Sequence, residues 1–232
     1  MIQVRKSAER GHVEHTWLDS KHSFSFGYYY DPAHMGFGVL RVINEDKIKG
    51  GTGFDTHPHR DMEIISYLVD GALEHKDSMG NTAVIRPGEV QRMSAGTGVK
   101  HSEYNHFKDQ DAHLIQIWIL PEKLGIAPGY EQKSFVSDFA NGDLVLVASK
   151  AGRKRSVSMN QDVDMYAAKS ETGGQTSLKT QGERRFWVQV LRGKVDVNGV
   201  GLEAGDGAGL SEITSIDLRW DKGSEFLLFD LP

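Results

Sequence analysis

The stretch YLVDGALEH (67–75) predicts two β-strands joined by a glycine turn. A further glycine turn follows in RPGE (86–89). The same order recurs in QVLRGKVDV (189–197) and EAGD (203–206), with the glycines in matching places. Self-similarity at this separation indicates a duplicated unit, so we predict two copies of one β-domain. Because hairpins are alike in many proteins, the repeat by itself leaves open a single larger β-domain.

Alternating patterns elsewhere in the chain also predict strands. HLIQIWIL (113–120) and EFLLFDL (225–231) send their side chains to two opposite faces. Glycine-bearing turns separate such segments at short intervals, which is typical of an antiparallel barrel or sandwich, so the expected fold class is all-β. The expected organisation is an amino-terminal domain at 1–120, a proline-containing connector with at most a short helix at 121–140, and a carboxy-terminal domain at 141–232.

The composition excludes several classes of protein and of functional site. The 232 residues include no cysteine and carry a formal net charge of −5. Disulfides, thiolate zinc sites and thiol nucleophiles are therefore excluded, and any metal must be held by histidine and carboxylate. No basic stripe indicates nucleic acid, and the short cluster GRKRS (152–156) is interpreted as a solvated turn. No apolar segment is long enough for a signal peptide or a membrane span, so we expect a cytoplasmic protein without membrane contact.

The histidines are confined to the first half of the chain. All ten precede residue 114, so only the first predicted domain has the side chains for a histidine metal site. His57 and His59 are one residue apart, which on a strand places both on one face with Cα atoms about 6.6 Å apart. His101 and Glu103 repeat that spacing, and adjacent antiparallel strands would bring the two pairs together around one ion. The alternative is that His57 and His59 belong to a polar surface loop.

A second carboxylate competes with Glu103 for the ion. On a straight strand Glu63 would lie about 13 Å from His59, too far to share a metal unless a bulge or bend intervenes. We therefore predict Glu103 as the ligand and Glu63 as a nearby polar group. The remaining histidines have no ligand-like spacing and are interpreted as surface or hydrogen-bonded residues: His12, His15, His22, His34, His75, His106 and His113.

Three segments of the chain closely resemble the pirin family, whose members are two-domain cupins. They are FGYYYDPAHMGFGVLRVINED (26–46), THPHRDMEIISYLVDGALEHKDSMGN (56–81) and MSAGTGVKHSEYN (93–105). The resemblance covers essentially the whole chain and is closest to the bacterial members. It implies a bicupin, two β-barrels of which only the first carries metal ligands.

The resemblance also implies a ligand set and a metal. The general cupin pattern is met by Gly51, His57, His59, Glu63, His101 and Asn105. In pirins the positions matching His57, His59, His101 and Glu103 hold the metal, which is usually iron. Three imidazoles and one carboxylate leave coordination positions open, which suits non-haem Fe(2+) better than a closed structural zinc site. The expected cofactor is therefore a divalent cation, with Fe(2+) preferred.

The implied activity comes from the same resemblance. Several bacterial pirins are quercetinases, which cleave a flavonol with dioxygen and release carbon monoxide. The expected function is quercetin 2,3-dioxygenase, in which Glu103 also acts as general base toward the flavonol 3-hydroxyl. Flavonol and dioxygen are then the small-molecule partners. Candidates for an apolar slot that holds a flat substrate are Phe24, Phe26, Phe54, Met93, Tyr104 and Trp118.

Functions of other classes share the same metal site. Animal pirins are described as nuclear transcription cofactors, in which the oxidation state of iron alters a protein-binding surface. By that resemblance the chain would be a redox-sensing iron protein that modulates a transcription regulator or a metabolic enzyme by direct contact. A third alternative is a metal-binding cupin with a structural role. The sequence separates these functions poorly because all of them use one site.

Overall fold

The computed structural model describes residues 1–180 and 183–232, and the regular structure within them is almost entirely β-strand. Short 3-10 helices span Ser7–Glu9, Asp138–Asn141 and Arg153–Arg155. In the described part of the chain, no helix is long and apolar enough to cross a membrane. The predicted all-β class is confirmed.

The strands are numbered in chain order. They are β1 (Ile2–Arg5), β2 (Gly11–Glu14), β3 (Leu18–His22), β4 (Leu40–Ile48), β5 (Gly53–His59), β6 (Glu63–Asp70), β7 (Leu73–Asp77), β8 (Thr82–Ile85), β9 (Glu89–Ser94), β10 (Val99–Asn105), β11 (Ala112–Ile119), β12 (Gly129–Ser134), β13 (Val145–Lys150), β14 (Val157–Met159), β15 (Asp164–Ser170), β16 (Gly174–Lys179), β17 (Arg185–Arg192), β18 (Lys194–Val197), β19 (Val200–Glu203), β20 (Gly207–Leu210), β21 (Ser215–Trp220) and β22 (Ser224–Leu231).

Four sheets form two barrels, each built from a large and a small sheet. The first barrel contains a seven-stranded sheet in the order β12-β9-β6-β11-β4-β3-β2 and a four-stranded sheet in the order β5-β10-β7-β8. The second contains a seven-stranded sheet in the order β1-β20-β17-β22-β15-β13-β14 and a four-stranded sheet in the order β16-β21-β18-β19. Apolar side chains from both sheets meet inside each barrel, as Leu68 and Ile85 do in the first and Val190 and Leu218 in the second. The prediction of two β-domains is confirmed.

The sequence repeat corresponds to one hairpin that is built twice. Gly71 joins β6 to β7 with φ of +76°, and Gly193 joins β17 to β18 with φ of +70°. Glycine adopts this left-handed conformation without the steric cost that a Cβ atom brings. A Cβ at Gly71 would also lie only 2.8 Å from the carbonyl oxygen of Asp111. Both the conformation and the close approach therefore require glycine at the repeated position.

Two strands, β1 and β12, pair within a barrel other than the one that their position in the chain suggests. β1, at the amino terminus, pairs with β20 of the second barrel, whereas β12 pairs with β9 of the first. The segment predicted as a connector, 121–140, therefore contributes an edge strand, and no α-helix is formed in it. The predicted division at 1–120, 121–140 and 141–232 remains a prediction. Strand pairing does not follow it, since β1 pairs within the second barrel and β12 within the first.

The two barrels share a continuous apolar core. Residues of the first large sheet, among them Tyr67 and Ile117, pack against Trp187 and Phe229 of the second. Within this layer the Tyr67 hydroxyl donates a hydrogen bond to Glu225 over 2.7 Å. The large sheets thus face each other, and the interior of the first barrel lies on the other side of its large sheet.

Candidate metal centre

The three predicted histidine ligands meet between two neighbouring strands of the small sheet. β10 runs antiparallel to β5, with His101 opposite His57 and Val99 opposite His59. The Nε2 atom of His101 lies 2.9 Å from Nε2 of His59 and 3.0 Å from Nε2 of His57. The three rings tilt toward one another, with centroids 4.5 to 4.8 Å apart. The expectation that adjacent strands join these side chains is met by the structure.

The separation of the nitrogen atoms fits a six-coordinate ion. Two ligands at right angles about an ion that is 2.1 Å from each are about 3.0 Å apart, whereas tetrahedral angles place them about 3.4 Å apart. For these two pairs of nitrogens, the observed 2.9 and 3.0 Å are near the right-angle value. Octahedral sites with imidazole and carboxylate donors are typical of redox-active divalent metals.

Hydrogen bonds on the far side of two rings orient the free nitrogen lone pairs toward the shared centre. Nδ1 of His57 donates to the carbonyl oxygen of Asp55 over 2.7 Å, so that Nε2 carries the lone pair in the neutral ring. On the neighbouring strand β7, Nε2 of His75 donates to Asp77 over 3.1 Å, so Nδ1 of His75 is the ring nitrogen that can accept a hydrogen bond. That atom lies 3.4 Å from Nδ1 of His101, which therefore carries the proton. The Nε2 atoms of His57 and His101 thus face each other as lone pairs, an arrangement that a cation stabilises.

Burial lowers the pKa of two of the three clustered histidines. It lowers the pKa of His59 to about 4, with a further contribution from the charge of His57. Burial lowers the pKa of His101 to about 2, and the neighbouring His57, His59 and His75 act in the same direction. These two imidazoles are therefore unprotonated at neutral pH, which is the form that binds a metal.

Glu103 lies beside the histidines in a fully enclosed position. It is 2% exposed, and its oxygens accept hydrogen bonds from Ser66 over 3.2 Å and from Gln116 over 2.8 Å. Its carboxylate lies within 4.8 Å of donor atoms of both His75 and His101. Burial raises the pKa of Glu103 to about 7, although the Ser66 hydrogen bond opposes the shift.

The carboxylate is not grouped with His57 and His59. In the described chain, the cluster of mutually close donors that contains these two histidines includes His101 but not Glu103. The register between β5 and β10 shifts here, so that Glu103 lies opposite Phe54 while His101 lies opposite His57. This bulge inserts one extra residue of β5 between the two pairings, so that Glu103 lies farther from His57 and His59 than regular pairing would place it. The alternation of side chains along one strand does not predict such a bulge.

Glu63 occupies a different environment. Its carboxylate accepts hydrogen bonds from Ser94 over 3.0 Å and from the backbone N–H of Asn160 over 3.2 Å. Asn160 belongs to the chain that follows the connector, so Glu63 stabilises the contact between the two halves. Neither histidine cluster found among the described residues includes it.

Comparisons with known proteins identify the family of this chain. Residues 3–119 match the family described as Pirin, and residues 146–231 match the family described as Quercetinase C-terminal cupin domain. A quercetin 2,3-dioxygenase of Escherichia coli K12 is 49% identical over 232 residues, which cover 100% of this chain and 99% of that protein. The chain belongs to the pirin family. Both of its barrels are therefore cupin domains, as the resemblance implied.

Solved structures of a bacterial pirin superimpose closely on this one. The crystal structure of YhhW from Escherichia coli matches with a TM-score of 0.95 and 49% identity, covering 100% of this chain and 98% of that chain. The structure of YhhW in complex with nickel(II) matches with a TM-score of 0.94 and 48% identity, covering 100% and 99%. Within the family, a metal complex is thus known for a protein with this backbone.

A cavity of about 370 Å³ opens beside the histidines of this pirin. Its walls include His57, His59 and Glu103, and three of the predicted aromatic candidates also line it, namely Phe26, Phe54 and Trp118. The cavity falls in the size range of small-molecule sites. Trp118 contacts His59 with ring centroids 4.9 Å apart, so the apolar wall directly adjoins the cluster.

The other three candidates do not line this cavity. Phe24 packs on Trp187 in the core between the barrels, with ring centroids 4.8 Å apart. Met93 is buried in a separate cluster with Ile64. Tyr104 alternates with Glu103 on β10, so its side chain turns to the opposite face, where its hydroxyl donates to Asp55. The alternation of side chains along β10 is enough to exclude Tyr104 from the cavity. Phe24 and Met93 are excluded only by how the sheets pack.

His75 is the residue at this site that sequence reasoning missed. Its place in the sequence predicts a surface or hydrogen-bonded histidine, yet it is completely buried on β7, opposite Glu103 of β10. It stacks on Tyr130 and contacts His101 through Nδ1. The available signal was the spacing of His75 and Asp77, which matches the paired donors of β5 and β10.

Replacing His75 by phenylalanine is expected to weaken metal binding by about 10- to 100-fold, the usual cost of removing an outer partner of a metal ligand. Phenylalanine keeps the ring that packs on Tyr130 but cannot accept a hydrogen bond from His101. Competition titration with a chelating indicator measures the affinity, and thermal unfolding of the metal-free protein reports on the fold. His113→Phe is the matched control, because His113 bonds to Glu45 outside the cluster. An unchanged affinity in His75→Phe would contradict the orienting role.

Proposed function

We propose that this pirin is a metal-dependent quercetin 2,3-dioxygenase, which cleaves the flavonol ring with dioxygen. The observation that carries the proposal is the convergence of three imidazoles beside one largely apolar cavity of about 370 Å³, whose walls include His57, His59 and the buried Glu103. The full-length relationship to the quercetin 2,3-dioxygenase of Escherichia coli K12 supports the same activity.

The proposed ligands are His57, His59, His101 and Glu103. The three nitrogens already converge, and Glu103 would have to turn from its hydrogen bonds with Ser66 and Gln116 to complete the set. The proposed ion is divalent, with Fe(2+) preferred for a nitrogen- and oxygen-rich octahedral site. When bound, such an ion polarises a substrate oxygen and supplies the redox chemistry that dioxygen requires.

The protein contributes positioning and proton transfer. Phe26, Phe54 and Trp118 would hold a flat aromatic ring against the histidines. Glu103 would accept the proton of the flavonol 3-hydroxyl, since a carboxylate with a pKa of about 7 is matched to proton transfer near neutral pH. The surrounding apolar walls would exclude bulk water from the reactive enolate.

Oxygen uptake with quercetin tests the proposal. Iron-loaded protein in an oxygen electrode is expected to consume dioxygen as quercetin absorbance falls, with carbon monoxide released in equal amount. His59→Ala, loaded in the same way, is expected to lose this turnover. Absence of uptake with quercetin and with several other flavonols would reject the dioxygenase and favour the redox-sensing alternative. The cytoplasmic location and a protein partner remain predictions from the sequence.

A further inference from the structure

One wall of the cavity is polar although it is buried. Ser20 and His22 of β3 and Asn44 and Asp46 of β4 line the cavity together with the metal-site residues, and each of the four is at most 5% exposed. Neither strand belongs to the sheet that carries the histidine cluster. From Gln116, which binds Glu103, this wall extends one and two strands along the large sheet, about 5 and 10 Å.

The polar wall is part of a row that crosses the sheet in register. His22 lies opposite Asn44, Asn44 opposite Gln116, Gln116 opposite Ser66, and Ser66 opposite Gln91. All five residues are buried.

The second barrel has an apolar row at the same place. There Tyr166, Leu228, Val188 and Ala208 lie opposite one another in turn. The cupin fold therefore does not require polar residues at these positions. The polar row of the first barrel needs an explanation other than folding.

Three polar atoms at this wall have no partner. Among the described residues, the side-chain oxygen of Asn44, Nδ1 of His22 and Nε1 of Trp118 make no hydrogen bond, although all three atoms are buried. Native proteins leave few such atoms unsatisfied, so each one calls for an explanation such as a bound ligand or an ordered water. Asn44 offers an acceptor and Trp118 a donor, which is the pair of contacts that a hydroxyl group makes.

The neighbouring side chains are held in place to complete the wall. Ser20 donates to one carboxylate oxygen of Asp46 and lies 2.8 Å from Nε2 of His22. Asp46 itself lines the cavity, and a carboxylate accepts more than one hydrogen bond. Because the Ser20 proton goes to Asp46, Nε2 of His22 donates to Ser20 and Nδ1 of His22 is an acceptor. The wall thus combines three acceptors, Asn44, Asp46 and His22, with one donor, Trp118.

We propose that Ser20, His22, Asn44 and Asp46 form a subsite that recognises hydroxyl groups on the ring of the substrate that points away from the histidines. The inference rests on the proposed function, because it takes the ligand to be a flavonol. It adds that the enzyme selects polyhydroxylated flavonols and discriminates against those whose distant ring is bare. Asn44 and Asp46 accept from the phenolic hydroxyls, and Trp118 donates to one of their oxygens.

The test compares Asn44→Leu with a matched control. Gln91 belongs to the same buried row and also has an unpartnered side-chain nitrogen, but it does not line the cavity. Gln91→Leu therefore repeats the loss of a buried amide without touching the subsite. Asp46→Asn is the second subsite variant, which keeps the side-chain shape if Asn44→Leu proves unstable.

Binding is measured without turnover. Nickel-loaded protein under nitrogen is titrated with quercetin and with two analogues, which lack the hydroxyls of the pendant ring or of the fused ring, and tryptophan fluorescence is followed. The unchanged protein is expected to bind quercetin at least about 10-fold more tightly than one of the analogues, the effect of one well-made hydrogen bond. This preference should shrink to within about 3-fold in Asn44→Leu and persist in Gln91→Leu.

The possible results test the proposed subsite and the proposed dioxygenase activity independently. A preference that survives in both Asn44→Leu and Asp46→Asn, or that is absent from the unchanged protein, overturns the subsite. Failure of every flavonol to bind overturns it as well. If quercetin binds with the expected preference but consumes no dioxygen with iron, the subsite stands and the dioxygenase fails. If quercetin is consumed without any hydroxyl preference, the dioxygenase stands and the subsite fails.

Discussion

His101→Ala is expected to lose metal binding almost completely, with the affinity falling by more than the roughly 100-fold that an outer partner costs. His101 is the central donor, because its Nε2 lies within 3.0 Å of Nε2 in both His57 and His59. Without it, the remaining pair on β5 provides only two imidazoles on an exposed edge strand. Elemental analysis after dialysis against ferrous salt measures the loss.

The fold of His101→Ala should survive the loss of the ion. The apolar clusters between the sheets and between the barrels do not include the histidines, so the metal-free variant is expected to unfold in one transition near that of the unchanged metal-free protein. His12→Ala is the control for removing a histidine, since His12 is exposed and pairs with Asp19. A folded His101→Ala that still holds one metal ion per chain would show that the cluster is not the binding site.

Glu103→Gln is expected to reduce flavonol turnover by about 10²- to 10⁴-fold, the range for loss of a general base. Glutamine retains an oxygen that can accept from Ser66 or Gln116, so the shape of the site is preserved. The three histidines remain, so metal content should fall less than turnover does. Steady-state oxygen uptake and elemental analysis of the same sample separate the two effects.

Glu63→Gln is the comparison that decides between the two carboxylates. Glu63 binds Ser94 and Asn160, away from the histidines, so its substitution is expected to change stability more than metal content or turnover. If Glu63→Gln abolished metal binding while Glu103→Gln left both properties intact, the assignment of Glu103 would be wrong. A loss of metal in Glu103→Gln equal to that in His101→Ala would make Glu103 primarily a ligand.

Local patterns were sufficient for the strands and for bringing the three histidines of one cluster together. Alternation predicted β11 and β22, and the glycine repeat predicted the hairpins at Gly71 and Gly193. The spacing of His57 and His59 and that of His101 and Glu103 are properties of single strands, so they could be read one strand at a time. The meeting of the three histidines required only that β5 and β10 be neighbours.

Other features depend on contacts between segments that are distant in the chain. The exchange of β1 and β12 between barrels, the burial of His75 and the withdrawal of Phe24 into the inter-barrel core all follow from which sheets pack together. The bulge opposite Glu103 likewise depends on the pairing of β5 with β10. No pattern within one strand carries this information.

The sequence by itself determined the fold class, the duplication and the residues able to bind a metal, because these follow from side-chain periodicity, glycine turns and donor chemistry along a continuous chain. Only the tertiary structure decided how those donors are oriented and what lies beside them. The relay from Asp77 through His75 to His101 and the polar row from His22 to Gln91 join strands that are far apart in sequence. Their register is set by the packing of whole sheets, and the cavity is the space that this packing leaves.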